Sequence, residues 1–172
     1  MKEAIRHVGE RFNLPQNWLN VDFKRTPSYS VKLDEISKPY KSFYHVLNVR
    51  VVSDEHLIAM KLRAGRKYKH DLSDIVGILA DLERQGRNIS LDVIQAAVEQ
   101  LYGDWDAITE ENQQFIEAAV RKKHSKDIYE AVVEEEEQSK QLLVTFEEKY
   151  ENVLNMSNVD EILKRLKETG RK

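Results

Sequence analysis

Apolar residues recur at helical spacing through most of the chain after residue 54. This pattern predicts helices over 2–12, 54–64, 71–85, 110–122 and 126–154, and two more that begin after Ser90 and after Ser157. The first of these helices is short and amphipathic, whereas the others supply long apolar faces. The second half of the chain is therefore predicted to be helical.

The first part of the chain has a different pattern, because all three prolines lie within its first 39 residues. Apolar and polar residues alternate over 28–33 and again over 45–52, which predicts two strands. We therefore expect an α+β fold with a small mixed β-sheet and a helical C-terminal half. The expected division is an α/β region over 1–85 and a helical region over 86–172 packed on it.

Three charged residues interrupt the apolar faces of the two helices over 54–64 and 71–85. Lys61 lies three residues after Ile58, and Asp71 and Asp74 begin the apolar stripe of the next helix. A charge at such a position needs a partner, so we expect Lys61 to face one or both aspartates. Two interpretations stay open. The first is a structural latch between the helices, and the second is a polar pocket for phosphate or a metal–nucleotide complex, lined by Lys61, Arg66, Asp71 and Asp74.

The net charge of −3 conceals two halves of opposite sign. Residues 1–70 carry 14 Lys and Arg against 7 Asp and Glu, so the remaining 102 residues carry 13 against 23. The front half could attract a polyanion, or the two halves could simply attract each other. The chain has no cysteine and no continuous apolar run long enough for a membrane span, so we expect a cytoplasmic protein.

The acidic run over 134–141 contains no apolar residue. Either one long helix projects into water there, or two helices are separated near Gln138 and Ser139. The run is interpreted as a solvated face, with a docking surface for a basic partner as the alternative.

Three weaker motifs have chemical interpretations. The sequence Asp104-Trp105-Asp106 is either a carboxylate pair or, as we expect, a turn in which the tryptophan packs inward. His70, Asp71 and Asp74 could ligate a metal, but one helical turn supplies too few ligands, and we assign no metal site. Arg63 and His70 have the spacing found in small helical ribonucleases.

One resemblance connects several of these segments. Its parts are Leu14-Pro15-Gln16-Asn17-Trp18-Leu19-Asn20, a strand that ends in Val51-Val52-Ser53, the helix His56-Leu57-Ile58-Ala59-Met60-Lys61-Leu62 with Ala64-Gly65-Arg66, and Asp71-Leu72-Ser73-Asp74-Ile75. In this order and spacing, residues 1–85 resemble bacterial nucleotidyltransferase-like proteins related to the abortive-infection AbiE toxins. The resemblance implies a partial nucleotidyltransferase core and a toxin–antitoxin or phage-defence system.

In that family a glycine-rich turn and an acidic D-x-D strand bind Mg²⁺ and a nucleoside triphosphate ahead of the tryptophan motif. Before Trp18 this chain offers only Glu3 and Glu10, so we expect a truncated or degenerate protein that is inactive alone. The resemblance implies four candidate catalytic residues in this chain: Lys61, with Arg66 beside it, and Asp71 with Asp74. A companion chain could supply the missing strand.

Two further functions stay open. The first is a non-catalytic interaction module that uses the acidic helix over 126–154, in a homodimer or with a companion protein. The second is RNA binding by the basic front half, through Lys24, Arg25, Lys32, Lys38, Tyr40, Lys41 and Tyr44.

Overall fold

A computed structural model describes residues 2–15, 18, 22–45, 47–121 and 125–169. Gln16, Asn17, Leu19 and Asn20 of the tryptophan motif lie outside these residues. Eight α-helices occur in the described ranges: α1 (Lys2–Phe12), α2 (Leu33–Ile36), α3 (Asp54–Ala64), α4 (Asp71–Arg84), α5 (Leu91–Tyr102), α6 (Glu110–Arg121), α7 (Ser125–Lys149) and α8 (Val159–Thr169). All seven predicted helices are confirmed, and the short α2 was not predicted.

The predicted caps have mixed outcomes. Ser53 and Ser90 do precede α3 and α5 in extended conformation, but neither side chain caps a backbone N–H of its helix. The Ser53 hydroxyl instead lies 2.7 Å from Nδ1 of His56. The predicted cap at Ser157 is wrong. Its backbone N–H and hydroxyl both donate to the side chain of Asn155, and Asn158 is the residue before α8.

The sheet has two antiparallel strands in the described residues, β1 (Lys38–Phe43) and β2 (Leu47–Val51). The α+β class with a helical second half is confirmed, although these strands run antiparallel and do not form a mixed sheet. The strand predicted over 45–52 is confirmed as β2. The alternating pattern did not reveal β1, because Pro39 and two lysines interrupt it.

The strand predicted over 28–33 is wrong, because this segment forms turns that pack against α5. The Ser30 hydroxyl donates to the Leu101 carbonyl at 2.7 Å, and the Tyr102 hydroxyl donates to the Ser28 carbonyl at 2.7 Å. Both serines are buried, whereas Val31 is exposed. Of the side chains that the alternation placed inside, Val31 is thus outside, whereas Tyr29 and Leu33 are half-buried. Long-range bonds to α5 replace a sheet ladder.

The main apolar core lies between helices from both sides of residue 85. The fully buried side chains include Ile58 and Leu62 of α3, Ile75 of α4, and Ile94 of α5. These helices therefore bury their apolar faces against each other, which is the main source of stability in such a core. The division of the chain at residue 85 stays a prediction, since one core crosses it.

The long helix α7 continues without a break through the acidic run. Its Ser139 is buried and donates to the Glu135 carbonyl at 2.7 Å, and Glu136 is buried beside it. A second, smaller core joins α7 to α8 through Leu143, Val159 and Leu163. One face of the helix does not project into water at this point, because Glu136 and Ser139 are buried, whereas the other residues of the run are exposed.

In the described part of the chain, none of the helices has both the length and the apolar character needed to cross a membrane.

Candidate functional site

The turn between α3 and α4 brings the predicted charged residues together. Gly65 ends α3 in the left-handed conformation, with φ of 48°. A side chain there would be strained by this backbone, and its Cβ would also lie 1.9 Å from Nδ2 of the buried Asn112. The same Nδ2 donates to the Leu62 carbonyl at 3.1 Å, which satisfies one of the last carbonyls of the helix.

Asp71 is the centre of this cluster, and only 2% of its side chain is exposed. Arg66 donates to it three times: Nε to Oδ2 at 2.7 Å, Nη2 to Oδ1 at 3.2 Å, and the backbone N–H to Oδ2 at 3.3 Å. Lys61 Nζ donates to Oδ1 at 3.4 Å. The carboxylate is therefore both paired and hydrogen-bonded, which a buried charge requires.

Lys61 and Asp74 form the outer part of the cluster. The Lys61 ammonium donates to Asp74 Oδ2 at 2.5 Å, and the two side chains are 30% and 46% exposed. The prediction that Lys61 faces one or both aspartates is thus confirmed, and it contacts both. The pairing gives direct support to the latch interpretation, because it ties the end of α3 to the start of α4.

The pKa shifts agree with a fully charged cluster. Burial raises the pKa of Asp71, but the hydrogen bonds and charge of Arg66 and the charge of Lys61 outweigh it, so the net pKa is lowered. Burial lowers the pKa of Lys61, but its bond to Asp74 and both carboxylate charges leave that pKa raised. The hydrogen bond to Asp71 raises the pKa of Arg66. These directions favour the charged forms of Lys61, Arg66 and Asp71.

Arg66 keeps unused hydrogen-bond donors despite these contacts. A guanidinium has five N–H groups, and Asp71 occupies one on Nε and one on Nη2. Among the described residues, none accepts from Nη1, and 36% of the side chain is exposed. The buried carboxylate thus fixes the guanidinium plane and leaves its outer edge open to an oxyanion.

The described residues contain no group of three or more histidine, cysteine, aspartate or glutamate side chains arranged to hold a metal ion. His70 does not join Asp71 and Asp74. Its ring instead faces α7, with Nδ1 3.7 Å from Glu136 Oε2 and Nε2 3.6 Å from Glu137 Oε1. The three-ligand arrangement considered for this helical turn therefore does not form.

The pairing of Arg63 with His70 is also wrong. Arg63 donates to the Ala107 carbonyl, and its guanidinium lies 5.8 Å from the centre of the Tyr102 ring. The turn at Gly65 separates the two side chains, so one packs toward α5 and the other toward α7. The two side chains thus contact different elements, which gives the ribonuclease interpretation no support.

The Asp104-Trp105-Asp106 motif forms the expected turn. The Asp104 carboxylate accepts from the Asp106 backbone N–H at 2.7 Å and caps a short 3₁₀ helix, Trp105–Ala107. Trp105 packs against the main core. One carboxylate of the pair is thus used in local structure.

Glu136 of α7 makes a contact with the start of α4 that the sequence did not predict. Only 3% of its side chain is exposed, and Oε1 accepts from the Leu72 N–H at 3.0 Å and the Ser73 N–H at 3.3 Å. It thus caps α4 from a distant helix and complements the positive end of the helix dipole. The sequence offered one signal for this contact, which is that Glu136 occupies a position on the buried face of α7.

The exposed part of the acidic run is partly neutralised within the chain. Glu135 accepts from Lys167 of α8 at 3.0 Å, and Glu137 pairs with Lys140 at 3.4 Å. With Glu136 buried, fewer free carboxylates remain for a basic partner than the sequence suggested.

The residues considered for RNA binding do not belong to one element. Lys24 and Arg25 lie in a 3₁₀ helix, Asp22–Arg25, whereas Lys38, Tyr40 and Lys41 lie in β1. Tyr40 and Tyr44 are 71% and 92% exposed. RNA binding stays a prediction.

Comparison of the chain with protein-family models, with curated proteins and with solved structures finds no match. The case for function therefore depends on the chemistry of the site.

Proposed function

We propose that this chain is a nucleotidyltransferase-like protein in which Arg66 and Lys61 bind a phosphate group of a nucleotide. The observation that carries the proposal is the side-on pairing of Arg66 with the buried Asp71, at 2.7 and 3.2 Å. That pairing keeps the guanidinium in place before a ligand arrives, so less conformational entropy is lost on binding.

The outer part of the cluster supplies the second cation. Lys61 has three N–H donors, of which the carboxylates of Asp71 and Asp74 take two. Asp74 is partly exposed and can turn toward water when a phosphate approaches. The phosphate would then meet the open edge of Arg66 and the freed ammonium of Lys61 together.

The described residues do not fit a magnesium ion, which takes several oxygen ligands in octahedral geometry. The proposal therefore assigns phosphate binding, without nucleotide transfer, to this polypeptide alone. Transfer would require carboxylates from a companion chain or from further sequence. A cytoplasmic location and a role in a toxin–antitoxin or phage-defence system belong to the same proposal.

The test is a titration with ATP in the presence of a chelator, followed by NMR of the Arg66 Nε–H signal. Two or three charge-assisted hydrogen bonds support a dissociation constant of about 1 mM, so the signal should shift over that range. Arg66→Gln should weaken binding by about tenfold. Arg84→Gln, which removes an exposed arginine of α4 that pairs with Asp81, is the control and should bind normally.

An unchanged Arg66 signal at saturating ATP would refute the proposal. Equal losses in Arg66→Gln and Arg84→Gln would do the same, because they would indicate nonspecific attraction of an anion.

A further inference from the structure

A cleft lies where the α3–α4 turn, α7 and the start of α8 meet. Its volume is about 460 Å³, which is within the range of small-molecule sites. We call it the Tyr68 cleft. Neither Arg66 nor Lys61 lines it, so it is separate from the phosphate site. Four aliphatic side chains and the Tyr68 ring form its apolar part, and four polar side chains line the rest: Leu143, Val144, Leu154 and Val159, then Lys69, His70, Lys140 and Glu147.

The apolar floor of the cleft is already formed. Leu143 and Val159 are buried in the second core, and Tyr68 and Leu154 pack against them. The loop between α7 and α8 is fixed by the Glu147 carboxylate, which accepts from two backbone N–H groups of that loop at 2.8 and 3.3 Å. A ligand would therefore meet positioned walls, so little of its binding free energy would be lost to ordering the protein.

Two hydrogen-bond donors at the cleft have no acceptor in the described part of the chain. They are the Lys69 ammonium and the Tyr68 hydroxyl. Lys69 is exposed and belongs to no ion pair among the described residues. Burial and the charge of Asp160 raise the pKa of Tyr68, so its hydroxyl stays protonated and can donate. An oxyanion of a ligand in the cleft would supply the missing acceptor.

The charges around the cleft suit a ligand with a single negative charge. Lys140 already pairs with Glu137 at 3.4 Å, and the His70 ring faces two carboxylates of α7. The carboxylate of Glu147 also lines the cleft, although the loop N–H groups stabilise it. Lys69 is thus left as the unpaired cation of this cleft in the described residues. One cation balances a carboxylate, whereas a dianionic phosphate would also be repelled by the nearby acids.

We propose that the Tyr68 cleft binds a free medium-chain acyl carboxylate, with its chain on the aliphatic floor and its carboxylate at Lys69 and the Tyr68 hydroxyl. An acyl chain fits better than a flat aromatic ring, because four of the five apolar side chains are aliphatic and offer no extended stacking surface. The charged group also fixes the direction in which the chain lies.

The test is an NMR titration of the full chain with hexanoate, octanoate and octanol. We expect millimolar octanoate to shift the methyl signals of the floor residues Leu143, Leu154 and Val159. Octanoate should bind about tenfold more tightly than hexanoate, because it buries two further methylene groups. Octanol should bind about fivefold more weakly than octanoate, because it lacks the charge that meets Lys69, whereas a purely hydrophobic site would prefer octanol.

Two pairs of variants locate the site. Lys69→Gln should weaken octanoate by about fivefold and leave octanol unchanged. Lys149→Gln removes the same charge from the neighbouring groove between α7 and α8 and should change neither ligand. Val144→Trp should weaken both ligands by about threefold or more because it occupies part of the cleft, whereas Thr145→Trp, in the other groove, should not. All four replaced side chains are exposed, so the variants should fold.

Several outcomes would overturn the proposal. They are floor methyl signals that do not move at about 10 mM octanoate, octanol that binds as tightly as octanoate, or equal losses in Lys69→Gln and Lys149→Gln. Stronger shifts of these signals by adenosine monophosphate would assign the cleft to a nucleotide and would also overturn it. The readout lies on the floor of the cleft, so failure here would leave the phosphate site at Arg66 untouched, and failure there would leave this proposal untouched.

Discussion

At the scale of single residues, the buried carboxylate of Asp71 is the group on which the α3–α4 turn depends. It accepts three hydrogen bonds from Arg66 and one from Lys61. The sequence predicted this cluster because helical periodicity placed charges among apolar positions. It did not predict that Arg66, rather than Lys61, is the main partner, since the path of a turn is not encoded in periodicity.

Replacing Asp71 should destabilise the protein much more than replacing its neighbour Asp74. We expect Asp71→Asn to lower the free energy of unfolding by about 3 kcal/mol, because it leaves two cations without their shared acceptor. Asp74→Asn is the matched control and should cost less than about 1 kcal/mol, as an exposed pair does. Urea denaturation measures both, and equal losses would contradict the arrangement.

The lowered pKa of Asp71 predicts a loss of stability in acid. Its contribution is complete above the unfolded-state value of about 3.9 and is lost as the pH falls through the lower folded-state value. Between about pH 5 and pH 2, the free energy of unfolding should therefore fall more steeply for the unmodified protein than for Asp71→Asn. Parallel curves in urea denaturation across this range would show that Asp71 has no such role.

At the scale of elements, the helices were predictable and their contacts were not. Apolar periodicity gave the seven longer helices to within a few residues, because each buries one apolar face. The incorrect prediction of a strand over 28–33 shows the limit of a local pattern. Ser28 and Ser30 are buried against α5 because of bonds to residues more than 70 positions away. The cap from Glu136 to α4 is another contact of this kind.

The turn between α3 and α4 should tolerate no side chain at Gly65. Gly65→Ala combines left-handed backbone strain with a contact 1.9 Å from Asn112 Nδ2, so we expect a loss of about 2 kcal/mol or more. Gly86 also has a positive φ, of 69°, but no atom lies within 4 Å of the position that a Cβ would take there. Gly86→Ala should therefore cost only about 1 kcal/mol, and thermal unfolding of both variants measures the difference.

Should both alanine variants lose the same stability, contact with Asn112 would be excluded as a constraint on the turn.

The cap from Glu136 should make α7 important for the stability of α4. Glu136→Ala removes the acceptor of two helical N–H groups and should cost about 1–2 kcal/mol. Glu134→Ala, in the exposed face of the same helix, should cost less than about 0.5 kcal/mol. Hydrogen exchange at Leu72 and Ser73 should quicken only in Glu136→Ala, and unchanged exchange would contradict the cap.

At the scale of the whole molecule, the opposite charges of the two halves are partly used within the fold. Lys67 in the front half pairs with Glu111 in the back half at 2.5 Å, and Arg66 in the front half pairs with Asp71 in the back half at 2.7 Å. With a net charge of −3, the protein as a whole repels a nucleotide. The proposed phosphate binding therefore requires local positioning of Arg66, which is the central claim of the proposed function.

The affinity for ATP of two charge-matched variants, Asp71→Asn and Asp74→Asn, tests this claim most directly. Each adds one unit of positive charge beside Lys61. We predict that Asp74→Asn binds ATP about threefold more tightly because it frees the ammonium, and that Asp71→Asn binds about tenfold more weakly because Arg66 loses its support. Tighter binding by both variants, measured by calorimetry on folded protein, would show that charge alone attracts the nucleotide and would contradict the claim.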